Sequence, residues 1–178
     1  MRRYFNMIAL SLSLLTISAL AAFGAADTIE PQDAKAVVSL IEYLYAGYDN
    51  GANKRKSFFQ TVPWDIETGR LIYRVEQCER KEGVVIGVDW PSDSQDPQIK
   101  DLSVVYSGSP SPRHATVRAS FRSYNAQVVI EYDMYLYDDS PLPDRSWGVS
   151  NIRIHDDDGI NDLLKTLRHA LNDECKGY

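Results

Sequence analysis

Residues 113–137 read RHATVRASFRSYNAQVVIEYDMYLY, and their period decides the fold. Across 113–123, Ala115, Val117, Ala119 and Phe121 fall on one side, with Arg118, Ser120 and Arg122 on the other. Across 126–137, Val128, Ile130, Tyr132, Met134 and Leu136 alternate with Gln127, Glu131 and Asp133. Alternation at period two marks a strand, because successive side chains leave opposite faces of the pleat. Tyr124-Asn125 between the two runs predicts a tight hairpin connection. One apolar face and one polar face predict an antiparallel sheet that is packed on one side and wetted on the other.

Working outward, residues 146–154 predict another strand, but one that breaks its own period. Trp147 and Val149 share a face, whereas Ile152 and Ile154 have the opposite parity. A one-residue β-bulge near Ser150-Asn151 restores the pattern, since it re-aims every side chain after it. On the other flank, residues 101–107 predict a strand with Leu102, Val104 and Tyr106 on one face. The sheet therefore has about four strands.

Helical periods occupy the ends. Ala34, Val37, Val38, Ile41, Leu44, Tyr45 and Tyr48 recur three or four apart over 31–48, with Pro31 suited to the first turn and Asp49-Asn50-Gly51 to the stop. A second helix is expected from about Asp65 to Arg80. Its inner stripe is Ile66, Leu71, Ile72, Val75 and Cys78, and Glu67, Arg70 and Arg74 lie outside. A short apolar run, 84–88, leads into a polar loop, Asp89 to Pro97. A last helix is expected from about Gly159, capped by Asp157 or Asp158, with Ile160, Leu163, Leu164, Leu167 and Leu171 as its stripe. Helices first and a strand meander after them make an α+β domain, two N-terminal helices on a curved antiparallel sheet with a short C-terminal helix. Such a sheet, wrapped on its first helix, leaves a concave pocket between them.

Three local features resemble the DUF3828 family, a domain family of unknown function. They are Leu44-Tyr45-Ala46-Gly47-Tyr48 on the first helix, the Asp89–Asp96 segment with Gln95-Asp96 just before the first long strand, and Trp147-Gly148-Val149-Ser150-Asn151-Ile152 before a leucine-rich helix. The resemblance covers most of residues 32–172. It departs at Asn151, where the family often has Asp, and in a Ser140–Arg145 insertion. It implies an NTF2-like or cystatin-like cone fold and an exported context, and it brings no catalytic residues. The pocket is expected to draw on Tyr45 and Tyr48 of the helix and on Asp89, Trp90, Gln95 and Asp96 of the loop.

The N-terminus reads as a signal peptide over residues 1–26. Arg2 and Arg3 form a positive n-region, an apolar stretch runs from Met7 to about Phe23, and Gly24-Ala25-Ala26 places small residues at the cleavage site. Four Ser and Thr residues interrupt the stretch, which is short for a membrane span of about 20 apolar residues. No cysteine follows it to carry a lipid, so the mature domain, 27–178, is expected as a released periplasmic or secreted protein. Cleavage removes two arginines and takes the net charge from −6 to −8. An acidic surface of that size argues against nucleic acid or an anionic membrane as partner. Cys78 and Cys175 are the two cysteines of the chain. In an oxidising compartment they are expected to form one disulfide, and two cysteines are not a metal ligand set.

No catalytic signature stands out. His155 precedes Asp156-Asp157-Asp158, but consecutive ligands with no closing Glu suit helix capping better than a cation loop. His114 and His169 are expected to be solvated. No Gly-x-Ser-x-Gly elbow and no phosphate loop is present, and no metal or cofactor is implied. Ten of the eleven tyrosines lie after the leader. Tyr135, Tyr137 and Val129 share the outer face of the sheet, where a second copy could pack. The preferred reading is a non-enzymatic binding module of the bacterial envelope that uses the concave pocket or the sheet face to hold a small ligand or a protein, with an immunity protein against a basic toxin as one version. The alternative is a small periplasmic enzyme with an acid–base site around Asp89 and Tyr48.

Overall fold

A computed structural model describes residues 31–46, 62–83, 98–137, 146–156 and 159–176. Among these residues three helices, α1 (Pro31–Ala46), α2 (Ile66–Glu82) and α3 (Leu163–Asp173), accompany five strands, β1 (Ile99–Ser111), β2 (His114–Ser123), β3 (Ala126–Tyr137), β4 (Ser146–Asp156) and β5 (Gly159–Asp162). The strands form one sheet in the order β1-β2-β3-β4-β5, each antiparallel to the next. The fold is α+β, as the alternation over 113–137 requires.

The apolar faces read from the sequence make the core. Ala115, Val117, Ala119 and Phe121 of β2 and Ile130, Tyr132, Met134 and Leu136 of β3 are buried. Their registers, with Val117 opposite Tyr132 and Ala119 opposite Ile130, put them on one side of the sheet. Against that side α1 presents Val37, Ile41, Leu44 and Tyr45, all buried. The bulge falls where the parity break places it. Met134 pairs with Val149 and Asp133 with Asn151, so Ser150 is the extra residue. Beyond it Ile152 and Ile154 return to the inner face, opposite Tyr132 and Ile130.

Four expectations are corrected. First, the sheet has five strands, not about four, because Gly159–Asp162 turns back along β4, with Asp156 opposite Gly159. Second, the last helix therefore begins at Leu163 and not at about Gly159. Ile160 is 61% exposed on β5, and the cap is Asp162, whose carboxylate accepts from Lys165 N–H at 3.0 Å. Asp157 and Asp158, expected as caps, lie outside the described residues. Third, Leu102, expected with Val104 and Tyr106 on the packed face of β1, is 37% exposed beside a register shift between Lys100 and Ser103, where Asp101 has φ 55°. Fourth, Ile66 is 59% exposed, and the buried residue of that first turn is Thr68. Asp65 is the N-cap and takes Thr68 N–H at 2.6 Å, which turns the helix so that Ile72, Val75 and Cys78 face inward. The α2 helix closes on Gly83, whose φ of 71° is the left-handed region that glycine adopts without a Cβ clash.

Cys78, on the inner stripe of α2, and Cys175, just past α3, form a disulfide with Cα atoms 5.7 Å apart. The bridge pins the end of α2 to the end of α3 across 97 residues of chain. At the other end of α3, Asn151 is buried and serves the helix as a second cap. Its Oδ1 accepts from Leu164 N–H at 3.1 Å, and its Nδ2 donates to Asp162 Oδ2 at 3.0 Å. Among the described residues no helix is long and apolar enough to cross a membrane. The signal peptide expected over residues 1–26, the helix stop at Asp49-Asn50-Gly51, the apolar run 84–88, the polar loop Asp89 to Pro97 and the Ser140–Arg145 insertion lie outside the described residues.

Candidate functional site

The bulge and the approach of α2 create a groove on the outer face of the sheet. Ahead of the helix, Pro63–Asp65 runs beside β4. Val149 N–H donates to Pro63 O at 2.7 Å, and Asp65 N–H donates to Val149 O at 3.0 Å. This strap lies so close to the sheet that a Cβ at Gly148 would sit 3.1 Å from the Asp65 nitrogen and 3.2 Å from the Tyr137 ring. Glycine at 148 is what lets the backbones approach. The hydroxyl of Thr68 then donates to Ser150 O at 2.7 Å, tying the first turn of α2 to the bulged residue. Bulges re-aim a side chain and commonly lie beside sites. Here the bulge turns Ser150 toward the groove, with its hydroxyl donating to Asp133 O at 3.0 Å.

The groove is about 770 Å³, lined by Asp65, Ile66, Glu67, Arg70, Leu71 and Arg74 from the strap and α2, and by His114, Tyr135, Tyr137 and Ser150 from the sheet. Its floor is a file of rings. His114 meets Tyr135 edge to face at a centroid distance of 5.1 Å, and Tyr135 meets Tyr137 in the same way at 5.0 Å. The Tyr137 hydroxyl accepts from Ile66 N–H at 2.9 Å, so the floor is bonded to the start of the helix. Burial, with the Asp65 charge adding to it, pushes the Tyr137 phenol above its ordinary value, even though the Ile66 bond pulls the other way. At the far end the Ser111 hydroxyl and His114 Nδ1 lie 2.6 Å apart in the β1–β2 turn, where Ser109 also bonds the turn carbonyls.

Next to the groove the outer face carries a charge ladder. Arg153 bonds both oxygens of Asp133 and reaches Glu131, and Arg118 holds Glu131 at 2.7 Å. His155 Nε2 lies 3.1 Å from the same carboxylate. Burial alone would raise the Glu131 pKa, but Arg118 and His155 outweigh it and hold the carboxyl below its usual range. Arg153 is shifted upward. Burial opposes its charge, but its bonds to Asp133 and the nearby Glu131 charge prevail. Among the described residues no group of three or more His, Cys, Asp and Glu is placed to hold a metal ion.

Tyr45, expected in a pocket between α1 and the sheet, is 2% exposed. Its hydroxyl bonds that of Tyr132 at 2.8 Å, and its ring packs on Phe121 at 5.5 Å. Tyr48, Asp89, Trp90, Gln95 and Asp96 lie outside the described residues. Tyr135 and Tyr137 do occupy the outer face, as the alternation requires, and they meet α2 there. Sequence reasoning put Arg70 and Arg74 on the outside of a helix and His114 at a strand start, but did not bring them to one place. The signal that could have done so is the parity break at Ser150, which marks where the sheet is interrupted. Comparison of the chain with protein-family models, with curated proteins and with solved structures gave no match.

Proposed function

We propose that the domain is a non-enzymatic binding module of the bacterial cell envelope, exported by its leader and using the groove between α2 and the outer sheet face to hold a small ligand or a partner. The observation that carries this reading is that the carboxylates and most hydroxyls of the groove are tied to the fold itself, while its imidazole, His114, sits at the far end with Nδ1 against the Ser111 hydroxyl. Asp65 caps α2, Glu67 lies 3.2 Å from Arg168, the Tyr137 hydroxyl takes Ile66 N–H, and Ser150 is bonded on both its hydroxyl and its carbonyl. What the groove offers to solvent is ring faces, the aliphatic side chain of Leu71 and the Arg70 guanidinium. Those are recognition groups.

The Cys78–Cys175 bridge supports an oxidising destination. The resemblance to the DUF3828 family and its cone-type relatives supports a scaffold whose function sits in a grafted site. Hydroxyl-radical footprinting of the protein in periplasmic extract tests the reading. Protection of Tyr135 and Tyr137 relative to buffer is the expected result. Unchanged labelling there, with protection elsewhere, moves the site off the groove.

A further inference from the structure

We infer that the groove takes an acidic saccharide chain, a glycan segment that bears carboxylates. The inference rests on the binding-module reading and narrows its ligand. Three observations carry it. The first is charge. Arg70 and Arg74 stand one helical turn apart on the same wall, and the two carboxylates beside them are already engaged, Asp65 by Thr68 N–H and Glu67 by Arg168. Arg70 is exposed and makes no ion pair among the described residues. On a chain of net charge −6 the exposed Arg70 guanidinium offers an anion a local partner, and it matches the two oxygens of a carboxylate.

The second observation is the ring floor. Edge-to-face contacts leave Tyr135 and Tyr137 with π surface, the Tyr137 hydroxyl being held by Ile66 N–H, and a sugar ring offers a C–H face to such a surface. The third is what the groove refuses. An extended peptide binds a sheet by adding a strand. Here the β4 edge at Val149 is already closed on both its N–H and its carbonyl by Pro63 and Asp65. A ligand must therefore be read by side chains. Ile66, Glu67, Arg70, Arg74 and His114 are all exposed, so the groove is open along its rim. Sites for isolated small molecules usually enclose about 70–90% of the ligand. An open channel suits a chain that passes through.

The test uses the oxidised protein purified from periplasm, titrated calorimetrically with oligosaccharides containing uronic, muramic or sialic acid units. Controls are neutral oligosaccharides of equal length, an oligo-glutamate peptide and a single-stranded oligo-dT. At least one acidic oligosaccharide binds about tenfold or more tightly than its neutral counterpart and than both other anions, as the loss of one charge-assisted pair predicts. Arg70→Gln, on an exposed side chain, reduces that binding by about tenfold. Tyr135→Ala reduces it further, and Tyr135→Phe retains most of it. Equal binding of the neutral sugar, the peptide or oligo-dT overturns the inference, as does full affinity in Arg70→Gln. Silence across the whole acidic set also overturns it. If Tyr135 and Tyr137 remain protected in extract in that case, the groove keeps its role as a binding site with a different ligand.

Discussion

Replacing Asn151 with Asp changes one atom's chemistry at a buried polar contact that joins β4 to α3. Asn151 is 7% exposed and bridges two ends of one structure, accepting from Leu164 N–H and donating to Asp162 Oδ2 at 3.0 Å. A donor at that second position is required, because Asp162 is itself the N-cap of α3 and takes Lys165 N–H. Asn151→Asp leaves the Leu164 bond and sets two carboxylate oxygens face to face. The lost hydrogen bond to a charged group is worth about 1.5–3 kcal/mol. Two unit charges at that distance repel by about 5 kcal/mol at an effective dielectric of about 20, an upper bound that sharing a proton lowers. The α3 N-terminus returns about 0.3–1 kcal/mol to the new anion. The net expectation is a loss of about 3 kcal/mol at pH 7, read by urea unfolding.

The sign with pH follows. The new carboxyl has its folded pKa raised above its unfolded value of about 3.9. The penalty is absent below the unfolded value, grows as pH rises toward the folded one, and is complete above it. The difference between variant and wild type therefore shrinks from pH 7 toward pH 4. Adding Asp162→Asn restores one amide facing one carboxylate, and the double variant should be more stable than Asn151→Asp alone. A single variant within about 0.5 kcal/mol of wild type at pH 7, or a penalty that does not fall on acidification, would refute the reasoning, since ordinary surface changes stay within that range.

Three further outcomes follow from the structure. Reducing the Cys78–Cys175 bridge, or changing both cysteines to Ser, removes a constraint across 97 residues that the chain-entropy account puts at about 4–5 kcal/mol, and thermal unfolding with and without reductant measures it. Gly148→Ala sets a Cβ 3.1 Å from the Asp65 backbone, lowering stability by about 1–3 kcal/mol as overpacking does. It also shifts the Tyr137 ring, seen as a changed chemical shift, while Ser146→Ala on the same strand does neither. The depressed Glu131 pKa makes that carboxylate stabilising above its unfolded value and progressively less so as pH falls through the lowered one. Glu131→Gln should therefore flatten the acid limb of the stability profile, and an unchanged limb would show that the Arg118 and His155 contacts do not hold in solution.

Much of the fold was legible because period is a local property. The alternation in β2 and β3 named the buried set residue by residue, and the parity break at Ser150 located the bulge. The inner stripe of α2 put Cys78 where it could meet Cys175. The errors lie where a short segment can choose between partners. Gly159–Asp162 could have begun a helix, and it became a strand because β4 offered it an unpaired edge. Ile66 belonged to the helical stripe by spacing, and the Asp65 cap rotated it out.

The sequence by itself determined the α+β class, the strand faces, the bulge and the pair of cysteines, since each follows from the order of side chains along one backbone. Tertiary structure alone decided the groove. Arg70 and His114 are 44 positions apart and meet only because the Pro63–Asp65 strap bonds to Val149 and lays α2 beside the outer face. That meeting depends on a close backbone approach at Gly148, and close approach is a property of two segments in space that no single stretch of sequence contains.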